Sequence, residues 1–322
     1  MPHLHLLSSL SRRVDRVPAM RDRLWRLEGE TLARIWRSLG AGDLDAASDR
    51  GERMLRLVGP RLRKQQHVLF NLRTAFPHWS WRQVEAMAPR VWGTLGRVLV
   101  EYACLDRICD PAEGRVRIVD LGGIRHSLQQ GIPGVFVAPH LANWNLLPVA
   151  ASRWEVPLTV VYRRQSNPAI EDLMTRWQSA LGCGFVEVGE ASRGLLRELR
   201  EGRSVGLLMD QRYDRGEKIP FFGEPASTTL VPARLALRLG VPLIPVRIER
   251  RGSAHFLITV HRPIEPAPAR SLDDAARDMT AQVNELFARW IAAAPDQWLC
   301  VKRRWPRPRP KLPGGAVKTS TA

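Results

Sequence analysis

The stretch between Val135 and Ala150 constrains the fold more than any other part of the chain. It opens with the apolar run Val135–Ala138, which is typical of a buried strand. Pro139 ends that run, His140 follows, and the apolar segment Leu141–Ala151 predicts a helix. His140 is therefore expected on a strand-to-helix turn at the end of a sheet, where α/β proteins build their sites.

This stretch carries no charge between Ile132 and Ser152, so a membrane span has to be considered. A spanning helix needs about 20 apolar residues, and hydrocarbon disfavours the Pro139, His140 and Asn143 that lie in its middle. We therefore expect a buried strand, turn and helix. Two interpretations of His140 follow: a hydrogen-bonded structural histidine, or a general base at the sheet edge.

After Arg115, short β-branched runs alternate with helical patterns. The predicted strands are Val116–Val119, Val135–Ala138, Leu158–Tyr162, Phe185–Val188, Val205–Met209, Leu243–Ile248 and Phe256–Val260, and the predicted helices include Leu141–Ala151, Ala169–Leu181, Ser192–Arg200, Leu230–Leu239 and Asp273–Ile291. Such alternation predicts an α/β fold with a mixed, largely parallel sheet flanked by helices.

The chain is expected to have three parts: an N-terminal helical, membrane-associating region (1–110), an α/β domain (111–300) and a basic, Pro-rich tail (301–322). The first of these begins with a predicted helix over Arg21–Leu39, whose Trp/Leu stripe is bordered by arginines. That pattern fits a helix lying in a membrane interface, and packing on the domain core is the alternative.

The charge is strongly positive, with 49 Lys+Arg against 32 Asp+Glu and a net charge of +17. Such a surface attracts nucleic acid, anionic lipid headgroups, phosphorylated substrates or an acidic carrier protein. The sequence shows no nucleic-acid motif, so no nucleic-acid partner is expected. The cysteines lack zinc-ligand spacing, which argues against a metal site and for a reduced compartment. The N-terminal segment lacks the apolar run of a signal peptide.

Six segments of the chain become informative together. In chain order they are N-L-R-T-A-F-P (71–77), H-L-A-N-W-N (140–145), V-Y-R-R-Q-S-N-P (161–168), M-D-Q-R-Y-D (209–214), I-P-F-F-G-E-P-A-S-T-T (219–229) and P-D-Q-W-L with R-R-W (295–299 and 303–305). Together they resemble the lipid A late acyltransferases (lauroyl and myristoyl transferases) of the H-x4-D/E glycerolipid acyltransferase superfamily. The resemblance covers about Arg61 to Pro308 and implies a glycerolipid acyltransferase-like fold.

The resemblance assigns the general-base role to His140, which suits imidazole near neutral pH. The family's acid, five residues on, would orient the ring and stabilise its protonated form. Here that position is Asn145, which can hold the ring but cannot offset its charge. Three explanations stay open: another carboxylate serves, with Asp210 the first candidate; the enzyme works slowly with Asn145; or catalysis has been lost.

Two further catalytic candidates follow predicted strands. Arg163, in the matched Y-R segment, could bind a phosphate or the developing oxyanion, and the alternative is a solvated arginine. Asp210 would emerge at a strand end, where the alternative is an aspartate that caps a turn. Candidate substrate-binding residues from the matched motifs are Asn143, Trp144, Tyr162, Gln211, Phe221, Phe222, Gly223 and Thr228. Trp298 and Trp305 are expected to pack and to touch a membrane interface.

The resemblance implies transfer of a fatty acyl chain from acyl carrier protein, or acyl-CoA, to a hydroxyl of a lipid A precursor. The acceptor would be a phosphorylated glycolipid at the cytoplasmic face of the inner membrane, and no metal or organic cofactor is needed. Attachment would be peripheral or monotopic on an anionic membrane surface, through basic amphipathic segments. The alternatives are acylation of another lysophospholipid or glycolipid, and a catalytically weakened lipid-binding homologue.

Overall fold

The computed structural model describes residues 18–306, without the side chains of residues 18–20, 39, 191 and 192. Most of the predicted basic tail therefore lies outside the described residues. The helices are α1 Pro18–Gly40, α2 Leu44–Val58, α3 Gln65–Ala75, α4 Trp81–Tyr102, α5 Leu105–Cys109, α6 Arg125–Gln129, α7 Val149–Arg153, α8 Pro168–Gln178, α9 Ala191–Arg200, α10 Val231–Leu239 and α11 Leu272–Ala293. The described residues up to 110 thus form a helical region, as predicted.

Seven strands form the main sheet, in the order β1-β9-β8-β2-β5-β3-β4, and β6 pairs with β7 in a separate hairpin. The strands are β1 Val116–Asp120, β2 Val135–Ala138, β3 Leu158–Tyr162, β4 Gly184–Glu187, β5 Ser204–Leu208, β6 Glu217–Phe221, β7 Glu224–Thr228, β8 Leu243–Arg250 and β9 Phe256–Val260. Only the β8–β9 pairing within the main sheet is antiparallel. The predicted mixed, largely parallel sheet is confirmed.

The core lies on both faces of the sheet, and β2 shows the division. Val135 and Val137 pack with α3, α4, α10 and α11, whereas Phe136 and Ala138 pack with α1, α5, α7 and α8. A strand that is buried on both sides explains why this run is apolar at every position rather than at alternate ones.

The predicted helix over Leu141–Ala151 is wrong. Leu141 forms a β-bridge with Trp298, a 3₁₀ turn covers Trp144–Leu146, and α7 begins only at Val149. Pro148 explains the break, because it cannot donate a helical hydrogen bond and favours a helix start. His140 nevertheless lies on a turn that directly follows a strand, as predicted.

The hairpin β6–β7 was not predicted, although it contains the Phe-Phe-Gly segment. Phe222 and Gly223 connect its strands, and both have positive φ angles, 53° and 77°. Among the described helices, none is both long enough and apolar enough to cross a bilayer.

Candidate active site

Sheet order brings the predicted catalytic residues together. β2 and β5 pair in parallel with Ala138 opposite Leu208, so His140 and Asp210 each lie two residues beyond paired positions. β5 also pairs in parallel with β3, which ends at Tyr162, just before Arg163. Carboxyl ends of parallel strands share one edge of a sheet, and sites form there.

His140 is bound to Asp210 through two hydrogen bonds to the same carboxylate oxygen. The imidazole Nδ1 lies 2.6 Å from Asp210 Oδ1, and the backbone N–H of His140 donates to that oxygen at 3.0 Å. The second oxygen, Oδ2, accepts a hydrogen bond from the indole N–H of Trp298 at 2.9 Å. A carboxylate can only accept at Nδ1, so this pairing leaves Nε2 as the basic nitrogen.

The surroundings of Asp210 favour its ionised form although its side chain is buried. Burial alone would raise the pKa of this carboxyl, but the facing His140 and the hydrogen bonds from His140 and Trp298 together hold the pKa below its usual value. An anion fixed against Nδ1 stabilises the imidazolium that forms when Nε2 takes a proton. The pair therefore has the geometry of a base and its orienting carboxylate.

The turn that carries His140 is fastened by the P-D-Q-W segment near the end of the described chain. Ala142 donates its backbone N–H to Gln297 O at 2.9 Å, and Leu299 donates to His140 O at 2.8 Å. Ala142 adopts a φ of 49°, which is uncommon for a residue with a side chain. These bonds hold a backbone conformation that the isolated turn would not favour.

Asn145 belongs to a different hydrogen-bond network. Its Nδ2 donates to Asn143 Oδ1 at 2.9 Å, and Asn143 Nδ2 donates to Glu101 Oε2 at 3.0 Å. Glu101 is fully buried and paired with Arg250, and it also accepts from the Ser48 hydroxyl at 2.6 Å. Asn145, the residue at the acid position of the motif, therefore donates to Asn143, which in turn donates to Glu101.

A cavity of about 300 Å³ opens beside His140. Its wall includes the predicted residues Trp144, Asn145, Tyr162, Arg163 and Gln211. Apolar side chains, among them Leu147, Val160, Met174, Leu181 and Phe185, line one part of the remainder, and polar or charged ones such as Glu171, Arg212 and Lys302 line another. Gln211 Nε2 lies 3.0 Å from His140 Nε2, so the basic nitrogen faces the cavity. A concave site that combines apolar walls with polar groups around a reactive side chain is a common form of small-molecule site.

A known protein family matches most of this chain. The model of the bacterial lipid A biosynthesis acyltransferases matches residues 29–307. The chain belongs to that family.

Individual relatives are more distant. A phosphatidylinositol mannoside acyltransferase of Mycobacterium tuberculosis is 27% identical over 195 residues, which are 58% of this chain and 59% of that protein. The matched part thus spans about three-fifths of that relative. A lipid A biosynthesis acyltransferase of Haemophilus influenzae is 21% identical over 253 residues, 76% of each chain. Among solved structures, the 1-acyl-sn-glycerophosphate acyltransferase of Thermotoga maritima aligns with 76% of this chain and 98% of its own at 14% identity and a TM-score of 0.35.

Some predicted substrate-binding residues of this acyltransferase-family chain lie away from the cavity wall. Asn143 is fully buried behind the turn. Phe221 is buried among Trp298, Trp305 and Phe222 in an aromatic cluster. Phe222 and Gly223 border a shallow depression beside α11, and the Thr228 hydroxyl donates to Ala226 O. These residues build the support of the site rather than the wall of the cavity.

The R-R-W segment is also part of that support. The Arg304 guanidinium is 1% exposed and donates to Ser227 O at 2.7 Å and to Thr228 Oγ1 at 2.6 Å. Burial lowers the pKa of Arg304 to about 10, with the charge of Asp210 acting in the opposite direction. Trp298 and Trp305 pack as predicted, but both are almost fully buried, so the prediction that they touch a membrane interface is wrong.

Sequence reasoning missed three residues at this site. Trp298 is the second partner of Asp210, Lys302 lines the cavity, and Glu101 anchors the turn. Trp298 lies in a segment that the family resemblance had already singled out, so its motif was the available signal. Glu101 had no such signal, because it lies inside a helix and reaches the turn only through the tertiary fold.

Proposed function

We propose that this protein is an O-acyltransferase that moves a fatty acyl chain from acyl carrier protein or acyl-CoA to a hydroxyl of a phosphorylated glycolipid. The observation that carries the proposal is the His140–Asp210 pair, whose imidazole lines a cavity with a partly apolar wall. Membership of the bacterial lipid A biosynthesis acyltransferase family supports acyl transfer as the reaction.

In the proposed reaction, His140 Nε2 accepts the proton of the acceptor hydroxyl while its oxygen attacks the thioester carbonyl carbon. The tetrahedral intermediate then expels the donor's thiolate, which takes the proton back from the imidazolium. Asp210 stays ionised throughout and stabilises the imidazolium. Gln211 has to yield its position at Nε2 to the acceptor hydroxyl, since both occupy the same side of the ring.

Arg163 is the proposed stabiliser of the developing oxyanion or of a substrate phosphate. It lines the cavity that contains His140 and is exposed at its rim. A guanidinium at this edge offers several donors to an oxygen on which negative charge develops. The apolar part of the cavity would hold the acyl chain.

For the acceptor, a lipid A precursor is the first candidate, because the family model carries that name. A second candidate is a mannosylated phosphatidylinositol, favoured by the relative that is 27% identical and is named a phosphatidylinositol mannoside acyltransferase. Both are phosphorylated glycolipids with sugar hydroxyls, and the proposed His140 chemistry is the same for either.

We also propose that the protein attaches peripherally to the cytoplasmic face of the inner membrane. An apolar patch at the end of α2, composed of Met54, Leu57, Val58 and Leu62, is exposed to solvent. Arginines at positions 53, 56, 61 and 63 neighbour it in the chain. Apolar side chains among basic ones suit an anionic bilayer surface.

The test of the reaction is an assay of the purified full chain with acyl carrier protein and CoA thioesters, each offered with a lipid A precursor and a phosphatidylinositol mannoside. Mass spectrometry should find an acylated acceptor, and His140→Ala should abolish it. The matched control is His126→Ala, an exposed histidine on α6 that bonds only to Gln130 among the described residues. Full turnover by His140→Ala would refute the proposed base.

A further inference from the structure

Two cations, Arg163 and Lys302, line the cavity that contains His140. A third, Lys64, is the N-cap residue of α3 and lies three residues before His67, whose Nδ1 is 3.2 Å from Val301 O, next to Lys302. The charges of Lys64 and Arg163 both act on Lys302. They come from three distant parts of the chain, so only the fold brings them together.

The backbone that carries Lys302 is fixed to α3. Asn71 Nδ2 donates to Cys300 O and to Lys302 O, each at 2.7 Å, and His67 Nδ1 lies 3.2 Å from Val301 O. Because α3 also begins at the residue after Lys64, the same helix determines the positions of both lysines. The cluster is therefore built on a rigid element rather than on two mobile loops.

The cluster carries a concentrated positive charge. Burial lowers the pKa of Lys302, the charges of Arg163 and Lys64 lower it further, and only Asp210 acts in the opposite direction. Asp210 is committed to His140 and Trp298. Repulsion among like charges is unfavourable for the protein alone, and a bound anion would relieve it.

None of the three cations has a carboxylate within ion-pair distance in the part of the chain from 18 to 306. Arg212 differs from these three cations: it also lines the cavity, but it is paired with Asp214 at 2.5 Å. Glu171, a carboxylate in the cavity wall, accepts the backbone N–H of Gln165 at 2.7 Å. The three side chains are thus left free to bind an anion from outside.

We propose that Lys64, Arg163 and Lys302 form a binding site for a phosphate ester of the substrate, at the mouth of the cavity beside His140. The inference rests on the proposed acyl transfer and adds the chemical group that positions a substrate there. Lysine and arginine together suit phosphate, the first as point charges and the second as a planar donor. The phosphate could belong to the pantetheine-linked donor or to the headgroup of the acceptor.

The first experiment measures binding without turnover. Isothermal titration calorimetry with inorganic pyrophosphate and with free CoA is performed on the full chain and on Lys302→Gln, Lys64→Gln and the double variant. Each single change is expected to weaken binding about fivefold to tenfold, and the double change more. Arg238→Gln, which removes one exposed positive charge from α10, is the matched control and should bind as the wild type does. Equal dissociation constants in wild type and double variant would overturn the proposal.

The second experiment identifies the source of the phosphate. For the donor arm, KM is compared between acyl-CoA and the matched acyl-N-acetylcysteamine, which carries no phosphate. For the acceptor arm, KM is compared between a phosphorylated glycolipid and its dephosphorylated form. Lys302→Gln should raise KM more for the phosphorylated member of one pair, and that pair names the source. An equal effect within both pairs would count against a phosphate site.

The two experiments also separate this site from the proposed reaction. If the wild type binds pyrophosphate through these lysines but transfers no acyl chain, the phosphate site stands and the proposed function fails. If acyl transfer is observed while pyrophosphate and CoA bind no differently after the lysines are replaced, the function stands and the phosphate site fails.

Discussion

Asp210 contacts His140 in the way that the H-x4-D/E pattern predicts for residue 145. It reaches Nδ1 of His140 from another strand, so the carboxylate and the imidazole meet although they are 70 residues apart. We expect Asp210→Asn to lower kcat by about 10²–10⁴, since comparable carboxylate-to-amide changes approach the upper figure. KM should change little, because the lost stabilisation belongs to the transition state. Steady-state kinetics of the purified variant provide the measurement.

A control at another carboxylate separates the loss of this pair from the loss of any negative charge. Asp273→Asn, which removes an exposed carboxylate at the start of α11, should leave kcat and KM unchanged. A kcat of Asp210→Asn that matches the wild type would rule out Asp210 as the partner of His140.

Asn145 acts as a hydrogen-bond donor in its network, and this leads to a prediction for Asn145→Asp, which would place the family's acid at this position. Asn143 uses its amide hydrogen toward Glu101 and its oxygen toward Asn145, so residue 145 has to be a donor. Asn145→Asp would set a carboxylate against that oxygen and add a negative charge near Glu101. We expect activity to fall severalfold and the free energy of unfolding to decrease by about 1–3 kcal/mol, because a half-buried carboxylate would face the Asn143 oxygen instead of donating to it.

Two hypotheses can be distinguished by chemical denaturation and kinetics of Asn145→Asp and Asn145→Ala. In one, Asn145 is needed as a hydrogen-bond donor to Asn143; in the other, it stands in for the acid of the motif and slows the enzyme because it carries no charge. If residue 145 only lacked a charge to stabilise the imidazolium, Asn145→Asp would be faster than the wild type. A gain in kcat would therefore contradict the network and restore the motif's usual acid. In our view Asn145→Ala should be the milder change, because it adds no charge.

Among the elements, α9 packs Leu195 and Leu199 into the core and is also hydrogen-bonded to the sheet through the carboxylate of Glu198. Glu198 accepts from the Thr159 hydroxyl of β3 at 2.6 Å and from Arg203 Nε at 2.7 Å. The Arg203 hydrogen bond is the largest cause of a pKa of about 2 for Glu198, against burial, which raises it. This stabilisation is present above pH 4.5, the ordinary value, and is lost as the pH falls toward 2.

We therefore expect wild-type stability to fall more than that of Glu198→Gln between pH 5 and about 2.5, by roughly 1–2 kcal/mol. The figure is discounted for solvent screening, since the Arg203 side chain is 39% exposed. Urea unfolding at several pH values measures it. Glu285→Gln, which removes a well-exposed carboxylate on α11, should follow the wild-type curve. Parallel curves for wild type and Glu198→Gln would show that the Glu198–Arg203 contact does not contribute to the pH dependence of the free energy of unfolding.

Local sequence patterns predicted the strands and helices of this fold better than they predicted the contacts between those elements. The runs Val135–Ala138 and Leu158–Tyr162 were predicted with their observed bounds, because β-branched composition is a local property. The helix after His140 was wrong, because Pro148 outweighs the apolar pattern. The hairpin β6–β7 was missed, since turn residues at Phe222 and Gly223 gave its only local signal.

The site depended on information that no single segment contains. Asp210 was a candidate from its place after a strand, but its contact with His140 requires β5 to lie beside β2, a pairing between distant parts of the chain. Lys64 and Lys302 carried no motif at all, and they became informative only when the fold placed their charges together. Positions within an element were therefore predictable, and distances between elements were not.

For the molecule as a whole, the last question is how a chain of net charge +17 meets its lipid substrate. The apolar patch at the end of α2 lies next in the chain to Lys64. Lys64 in turn lies near Lys302, which lines the cavity. Insertion of this patch into a bilayer would thus bring the headgroups of acceptor lipids near His140. Leu57 is 66% exposed and Leu62 44% exposed, so their burial in lipid is available to drive binding.

We predict that the wild type binds phosphatidylglycerol vesicles and that 1 M salt releases much of it, because the screening length falls to about 3 Å. The double variant Leu57→Ser/Leu62→Ser should bind roughly tenfold to a hundredfold more weakly, since full burial contributes about 1.5 kcal/mol for each leucine and these two are only partly exposed beforehand. Leu272→Ser, an exposed leucine on α11, is the matched control and should bind normally. Vesicle co-sedimentation measures all four conditions. Equal binding by the double variant and the control would place the membrane contact elsewhere, and retention in 1 M salt would show that insertion of apolar surface dominates over charge.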